Sequence, residues 1–467
     1  MQQDWAPADK RAGQDRQQEP PAAPGSEAQP APPGAETLAE ASARLRNALV
    51  DSLKARGLLH SKALERAMRQ VPREQFVPEI AERDGLERVY ADEALITKRS
   101  SHGQPLSSSS APSMMAIMLE QLDLSPGQRV LEIGAGTGYN AALLAELVGD
   151  PSAITTLDIE PDVVEQARQH LNDAGYPEIR VLSADGILGA PDLAPFERIE
   201  LTVASDDIAP AWISQLSSDG RLVVPLELHR YQRGQISLAF VKHEGHLESV
   251  AAATAFFIPL RGVAAMPIER SAALSVGSTQ DKDHHWELTV YGAPISASAA
   301  IRRDVLHLLS GPSETRSLHL DGPVRALLSY LDLRYGERNA IYVWSGNAIW
   351  GFEGWAAGFY QSGSLSLAHG AGLPNGLGCG SISAGGPLTT GSSQVRAVEG
   401  IESYGSNAAW RQLQRAINEW KHLRQPDLEA LSVRAYLPGQ APAPAPDEWL
   451  MSKRSMDLLL SFQQLGG

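Results

Sequence analysis

Cysteine is almost missing from this chain of 467 residues, which contains Cys379 alone. A single cysteine excludes an intramolecular disulfide and a cluster of thiolate metal ligands. Basic residues are too few to suggest a nucleic-acid partner, because 40 lysines and arginines stand against 55 acids, for a formal net charge of −15. The sequence also lacks an uncharged apolar run of about 18 residues and a basic-then-apolar signal peptide. We therefore expect a soluble, cytoplasmic protein with no membrane partner and no metal site.

Branched apolar residues are scarce in residues 1–36, which are rich in Pro, Ala, Gln and Gly. Such a segment cannot bury enough apolar surface to offset the entropy lost on ordering. We expect a disordered tail, in which Trp5 is the one candidate anchor. The chain length predicts two or three domains.

A glycine-rich stretch organises the rest of the chain. Residues 130–133 are typical of a strand buried on both faces, and residues 140–148 of a helix. Between them, Gly134, Gly136 and Gly138 predict the tight turn of a Rossmann-like sheet. The dinucleotide fingerprint would place its third glycine at position 139, which is Tyr here. The GxGxG spacing instead resembles class I S-adenosylmethionine (SAM) methyltransferases, although a bare glycine turn in another α/β protein is the alternative.

Acidic residues follow the next two predicted strands. Asp158 ends the strand predicted over 153–158, where a carboxylate can accept hydrogen bonds from both ribose hydroxyls. Asp185 and Gly186 follow the strand predicted over 179–182, and that carboxylate could reach an adenine amino group. Either acid alone would more often be a helix cap or a solvated strand end. Together with the glycine turn, they predict a SAM site at the carboxyl edge of the sheet.

Further segments carry a more specific resemblance. They are residues 73–78 (Arg-Glu-Gln-Phe-Val-Pro), 89–95, 110–114 (Ser-Ala-Pro-Ser-Met), 185–189 (Asp-Gly-Ile-Leu-Gly), 215–216, 220–225 and 257–260. In this order they resemble the protein-L-isoaspartate O-methyltransferases, over residues 37–262. The resemblance implies an α/β fold with an N-terminal helical segment over 37–100. The resemblance implies that Ser110 is the catalytic residue. With the preceding arguments, the predicted cofactor-binding residues are Glu132, Gly134, Gly136, Gly138, Asp158, Asp185 and Gly186. The predicted substrate-binding residues are Ser109, Ala111, Pro112 and Asp206, of which Asp206 departs from the family pattern.

The implied reaction requires no general base, because a side-chain carboxylate has a pKa near 3.9 and is already ionised at neutral pH. Ser110 would then orient the carboxylate by a hydrogen bond and would not be a covalent nucleophile. The resulting methyl ester is attacked by the following backbone nitrogen, which closes a succinimide that hydrolyses to Asp and isoAsp.

Two features depart from the family pattern or extend it. Residues 204–207 (Ala-Ser-Asp-Asp) replace a small, Ala-rich loop, and these acids would either face the substrate or cap the helix after Pro210. Residues 107–110 are four serines, read either as a flexible loop or as a set of hydroxyl donors to a carboxylate.

Residues 263–467 predict an additional α+β domain. Strands are predicted over 286–291, 341–344 and 348–352, a long Gly/Ser-rich loop over 369–393, and a Pro/Ala connector over 438–446 before a final amphipathic segment, 451–465. Ser406 or Asn407 could cap a helix that places Trp410, Leu413, Ile417 and Trp420 on nearly one face. That face suggests core packing, with a peptide-binding groove as the alternative.

This extension and the serine run resemble homologues associated with lanthipeptides and other ribosomally made, modified peptides (the FxLD type). Three functions therefore compete. The favoured one is methylation of a chosen Asp in a modified precursor peptide, which the extension would recognise. The others are general repair of isoAsp in proteins and non-catalytic SAM binding in an interaction protein.

Overall fold

The computed structural model describes residues 36–228, 235–263, 274–277, 287–291, 298–309, 311–317, 324–336, 340–346, 353–371 and 399–463. The predictions for residues 1–35, for Trp286 and for most of the Gly/Ser-rich loop therefore fall outside the described residues, as does Cys379. None of the described helices is long and apolar enough to cross a membrane.

Helices and strands are numbered along the chain. The helices are α1 (Leu38–Ala55), α2 (Lys62–Gln70), α3 (Pro78–Asp84), α4 (Leu86–Val89), α5 (Pro112–Leu122), α6 (Tyr139–Val148), α7 (Pro161–Asp173), α8 (Pro210–Gln215), α9 (Ala299–Leu309), α10 (Val324–Tyr335) and α11 (Ala408–His422). The strands are β1 (Leu95–Arg99), β2 (Pro105–Ser109), β3 (Val130–Ile133), β4 (Ile154–Asp158), β5 (Arg180–Ser183), β6 (Phe196–Leu201), β7 (Leu216–Leu226), β8 (Gln235–His243), β9 (His246–Ala255), β10 (Leu274–Gly277), β11 (Glu287–Tyr291), β12 (Ser313–Ser317), β13 (Ala340–Gly346), β14 (Glu353–Gln361), β15 (Ser364–Ala371), β16 (Glu399–Gly405), β17 (Leu431–Tyr436), β18 (Trp449–Ser452) and β19 (Asp457–Phe462).

A ten-stranded sheet forms the centre of the methyltransferase part, in the order β18-β19-β17-β9-β8-β7-β6-β3-β4-β5. Strands β7, β6, β3, β4 and β5 run parallel, and β8 and β9 continue the sheet antiparallel. All four residues of β3 are buried, as the apolar run predicted. The connections through α6 and α7 make this a Rossmann-like sheet, which confirms the predicted fold class.

The N-terminal helices pack together on the methyltransferase part. Ser61 caps α2 by accepting hydrogen bonds from the Ala63 and Leu64 amides. Leu64 and Met68 on the same helix are buried in one hydrophobic cluster with Leu143 and Leu144 of α6. The antiparallel β1-β2 hairpin brings the serine run to the carboxyl edge of the sheet.

The last 200 residues contribute to two sheets. A seven-stranded sheet has the order β10-β11-β13-β14-β15-β16-β12, and α10 and α11 pack against its central strands. Strands β17, β19 and β18 instead extend the ten-stranded sheet, because β17 pairs with β9. Division of the chain at residue 262 stays a prediction, although this pairing gives the two parts a common sheet.

Several predictions for this region are met, and one lies outside the described residues. The predicted strand 341–344 lies in β13, which pairs with β14 at 353–361. The predicted strand 348–352 falls outside the described residues. The segment 451–465 contains β19 and the end of β18. Leu413, Ile417 and Trp420 of α11 are buried, so this face is core; Asn407 is its N-cap residue but makes no side-chain capping bond.

Candidate functional site

The glycine turn brings bare backbone to the carboxyl edge of the sheet. Gly134, Gly136 and Gly138 have φ values of 112°, 50° and 87°, in the region that side chains other than glycine rarely adopt. A Cβ atom at Gly134 would lie 2.5 Å from the Thr202 hydroxyl oxygen, and one at Gly136 would lie 3.0 Å from the Ser108 carbonyl oxygen. Glycine is therefore required both by backbone conformation and by close approach of the neighbouring loops.

Asp158 lies beside this turn at the end of β4. One carboxylate oxygen accepts a hydrogen bond from the Gly136 amide at 3.3 Å, and the other accepts one from the Glu160 amide at 3.1 Å. Burial raises the pKa of this carboxyl, and these backbone donors oppose the shift. The side chain is held at the cavity wall with oxygens that can accept further hydrogen bonds.

A buried network of two acids and one amide lies beneath the turn. The Asn140 side-chain amide donates to Glu132 at 2.8 Å and to Glu200 at 2.9 Å, and the Thr156 hydroxyl donates to Glu132 at 2.6 Å. Burial raises the pKa of Glu132 to about 8 and that of Glu200 to about 7. Sequence analysis singled out Glu132 but missed Asn140 and Glu200, because only the fold brings β6 beside β3.

The serine run forms the opposite wall and is held by a buried arginine. Arg73 is fully buried and donates to the carbonyl oxygens of Val89 at 2.7 Å and Ser110 at 2.9 Å, with longer contacts to Ser109. Burial lowers its pKa to about 10. Arg73 belongs to the family-like segment 73–78, but only the fold shows that its side chain holds the backbone that presents Ser110.

The four serines are unequally exposed. Ser107 and Ser109 are buried, whereas Ser108 and Ser110 are half-buried. Pro112 is the first residue of α5, and Ala111 stands at its N-cap position. Exposure alternates along the serine run because residues 107–109 lie in strand β2. The run is therefore mostly an ordered strand and not the flexible loop that was one alternative.

Asp185 and Gly186 follow β5, the strand that pairs with β4. The Asp185 carboxylate accepts hydrogen bonds from the Ile187 amide at 3.1 Å and the Val263 amide at 2.8 Å. A Cβ at Gly186 would lie 2.6 Å from an Ile133 methyl group, so this glycine permits close packing. Neither residue lines the cleft beside the glycine turn, and their role in cofactor binding stays a prediction.

The acids after β6 do not cap α8, whose N-cap residue is Ala209. Asp207 is buried and accepts hydrogen bonds from the Ile208 amide and from the Ser455 amide of the β18–β19 turn. Asp206 is half-exposed, with a carboxylate oxygen 4.0 Å from the Arg454 guanidinium. Sequence analysis could not place Ser455 at this loop, because the two segments are 248 residues apart.

A cleft with an empty volume of about 480 Å³ lies between these elements. Its walls bring together six of the predicted site residues and their neighbours: Leu106, Ser107, Ser108, Ser109, Ser110, Met115, Glu132, Gly134, Ala135, Gly136, Thr137, Tyr139, Asn140, Asp158, Thr202, Val203 and Ile258. Of the predicted site residues, Ser109, Ser110, Glu132, Gly134, Gly136 and Asp158 line it; Gly138, Ala111, Pro112, Asp185, Gly186 and Asp206 do not. The glycine backbone and Asp158 fit an adenosine-bearing cofactor, and Ser110 lines the same cleft.

The parallel sheet, its glycine turn and the acid at the end of β4 define the class: this is a class I methyltransferase whose cofactor is S-adenosyl-L-methionine. Comparisons with known proteins identify the family. Residues 43–265 match the family model described as protein-L-isoaspartate(D-aspartate) O-methyltransferase. The chain belongs to this family.

Two named relatives and one solved structure are similar to this chain. The protein-L-isoaspartate O-methyltransferase of Methanopyrus kandleri is 37% identical over 220 residues, which are 47% of this chain and 92% of that protein. The Hyperthermus butylicus protein of the same name is 38% identical over 226 residues, or 46% of this chain and 88% of its own. A solved protein-L-isoaspartate O-methyltransferase has a TM-score of 0.44 at 21% identity, covering 83% of this chain and 96% of its own.

Replacing Asp158 by Ala is expected to weaken cofactor binding. Loss of this half-buried acceptor leaves its hydrogen-bonding partners unsatisfied, at a cost of roughly 1–3 kcal/mol, or about 5- to 150-fold in the dissociation constant. Calorimetry with SAM measures the change, and Asp173→Ala, an exposed acid on α7, is the matched control. An unchanged affinity in a folded Asp158→Ala protein would remove Asp158 from the cofactor site.

Replacing Glu132 by Gln is expected to flatten the dependence of stability on pH. Because burial raises its pKa from 4.5 to about 8, the folded state retains a proton that the unfolded chain has released between these values. The contribution of Glu132 to stability is therefore present at low pH and is lost as the pH rises through this window. Melting temperatures recorded between about pH 5 and pH 8 measure the slope of stability against pH. Exposed Glu165→Gln is the control, and a wild-type slope in Glu132→Gln would contradict the assignment.

Proposed function

We propose that this enzyme methylates the side-chain carboxylate of an aspartyl residue in a peptide, and that its substrate is a ribosomally made precursor undergoing modification. The family match supports carboxyl methylation, since the named relatives are protein-L-isoaspartate O-methyltransferases. The observation that favours a selected peptide is the turn between β18 and β19, which contacts the loop after β6, whose residue Val203 lines the cleft. The cytoplasmic location stays a prediction.

The chemistry that S-adenosyl-L-methionine supplies when bound is an electrophilic methyl group. The residues around the cleft would bind and align the substrate, because a carboxylate is ionised at neutral pH without a base. Ser110 would donate its hydroxyl hydrogen to one carboxylate oxygen, leaving the other to react. Arg73 would hold the Ser110 backbone in place through the carbonyl contact at 2.9 Å.

The methyl ester then makes ring closure favourable. The backbone nitrogen of the next residue attacks the ester carbonyl, losing its proton, and methanol leaves as the five-membered succinimide (aspartimide) closes. Addition of water opens the ring to Asp or isoAsp. In a precursor peptide this sequence would install a modified backbone; in a damaged protein it would return isoAsp to Asp.

Substrate preference separates maturation from repair. A repair enzyme has to accept isoAsp in many sequences and reject ordinary Asp, whereas a maturation enzyme needs recognition outside the reacting group. We expect strong methylation of ordinary Asp in one constrained precursor, such as one encoded beside lanthipeptide cyclisation enzymes, and weak methylation of short isoAsp peptides. Mass spectrometry follows the gain of a methyl group and the loss of methanol.

Repair is the second candidate, favoured by the activity that the relatives' names give. Equal turnover of unrelated isoAsp peptides, together with no turnover of any Asp peptide, would assign this enzyme to repair. A linear form of the precursor and an Asp→Asn precursor serve as controls for the constraint and for the reacting carboxyl.

Replacing Ser110 by Ala is expected to lower methyl transfer and to preserve cofactor affinity, because the proposed contact is to the substrate. Removal of one hydrogen bond to a charged group costs roughly 1.5–3 kcal/mol, or about 10- to 150-fold in kcat/KM. Ser108→Ala, at another half-buried serine lining the cleft, is the comparison. Wild-type turnover by a folded Ser110→Ala enzyme would leave Ser110 without a catalytic role.

A further inference from the structure

The turn between β18 and β19 meets the loop that follows β6. The Asp207 carboxylate accepts a hydrogen bond from the Ser455 amide of this turn. The Lys453 ammonium donates to the Glu227 carbonyl at 2.9 Å and also to that of Leu228, just after β7. Two successive residues of the turn, Lys453 and Arg454, thus bring positive charge to a group of three acids, Asp206, Asp207 and Glu227.

The loop after β6 is continuous with the wall of the cleft. Val203 lines the cleft, and the next residue, Ala204, exchanges backbone hydrogen bonds with Ile258 at 2.9 Å and Leu260 at 2.7 Å. Ile258 is itself a lining residue. A shift of this loop would therefore move one wall of the cleft.

The same loop is tied to the end of β7. The Ser205 amide donates to the Pro225 carbonyl at 2.9 Å, and the Glu227 amide donates to the Ser205 carbonyl at 2.8 Å. The Ser205 hydroxyl also donates to the Asp207 carbonyl at 2.6 Å. Asp207 thus joins a loop already anchored at the cleft to a turn from the far end of the chain.

We propose that the turn 452–456 is a specificity element, and that Asp207 is the residue that positions the substrate side of the cleft through its contact with Ser455. The inference deepens the proposed function and rests on it for the identity of the substrate as a peptide. The start of this loop also meets the glycine turn, because the Thr202 hydroxyl donates to the Gly134 carbonyl at 2.6 Å. Asp207 lies five residues farther along and makes none of its described hydrogen bonds to the glycine turn or to Asp158, so we expect its contact with Ser455 to act on peptide recognition and to leave cofactor binding unaffected.

Kinetics of Asp207→Ala and Asp207→Asn in the full-length enzyme test this assignment. We expect Asp207→Ala to raise the KM for the peptide by about tenfold or more, with kcat and the SAM dissociation constant each within about twofold of wild type. Asn keeps one acceptor oxygen, so Asp207→Asn should give an intermediate KM. Asp447→Asn, at an exposed acid just before β18, is the matched control and should leave all three constants unchanged. Equal loss of SAM affinity and peptide activity, or an unchanged KM, would overturn the proposal.

Hydrogen exchange gives a readout that is independent of the substrate. In Asp207→Ala the amides of residues 203–208 and 453–456 should exchange faster, while those of the glycine turn, 134–138, keep their wild-type rates. Unchanged exchange at both segments would refute the positioning role even if activity falls. Wild-type enzyme that methylates neither Asp nor isoAsp peptides would instead refute the proposed function, and the exchange result would still decide the role of Asp207.

Discussion

Removal of residues 263–467 is expected to produce an aggregating protein and not a smaller working methyltransferase. One hydrophobic cluster contains Leu222, Phe240 and Leu247 from the methyltransferase strands together with Trp420 and Leu460 from the extension. Each such side chain contributes roughly 1.5–3 kcal/mol when buried. Exposure of a few of them removes as much as the whole stability of a typical domain, about 5–15 kcal/mol.

The truncation would also uncover a strand edge. β9 would lose β17, and the Ser249 hydroxyl oxygen would lose the hydrogen bond that it accepts from the Val433 amide at 2.8 Å. Unpaired edges promote association between chains. Size-exclusion chromatography and SAM calorimetry are the measurements, with deletion of residues 1–35 as the control that removes none of the described contacts. A monomeric 36–262 fragment with wild-type SAM affinity would show that the shared core is dispensable.

Replacement of Arg73 by Met is expected to be the most damaging single substitution in the N-terminal part. The side chain is buried, and its short hydrogen bonds run to the backbone carbonyls of Val89 and Ser110. Each buried acceptor left without a donor lowers the free energy of unfolding by about 1–3 kcal/mol. Removal of the buried charge offsets part of this loss, because the charge no longer has to be desolvated. We expect a net loss of roughly 2–4 kcal/mol, with a fall in activity because the Ser110 backbone is released.

Thermal unfolding and peptide methylation measure the two effects separately. Arg66→Met, at an exposed position on α2, is the matched control and should change neither. Arg73→Lys keeps the charge but offers a single ammonium in place of the planar fork, so it should recover only part of the stability. If the Arg73→Met protein had the melting temperature of the wild type, the Val89 and Ser110 carbonyls would be accepting hydrogen bonds from other donors.

The glycine turn was predictable because its causes are local. Positive φ at Gly134, the buried run of β3 and the acid that ends β4 follow from neighbouring residues and from the period of the apolar pattern. The family resemblance then supplied Ser110, whose position beside the cleft agrees with the structure. The sequence alone thus determined the parallel sheet, the class of cofactor and one wall of the site.

The contacts that join distant segments were decided only by the tertiary structure. Asn140 bridges Glu132 and Glu200 because β6 pairs with β3, and Asp207 meets Ser455 because β17–β19 return to the edge of the same sheet. No local sequence pattern encodes these pairings. Each depends on which edge of the sheet is unpaired and on which apolar face is still exposed to solvent. For the same reason the sequence predicted an additional domain after residue 262, whereas the fold places its last three strands in the methyltransferase sheet.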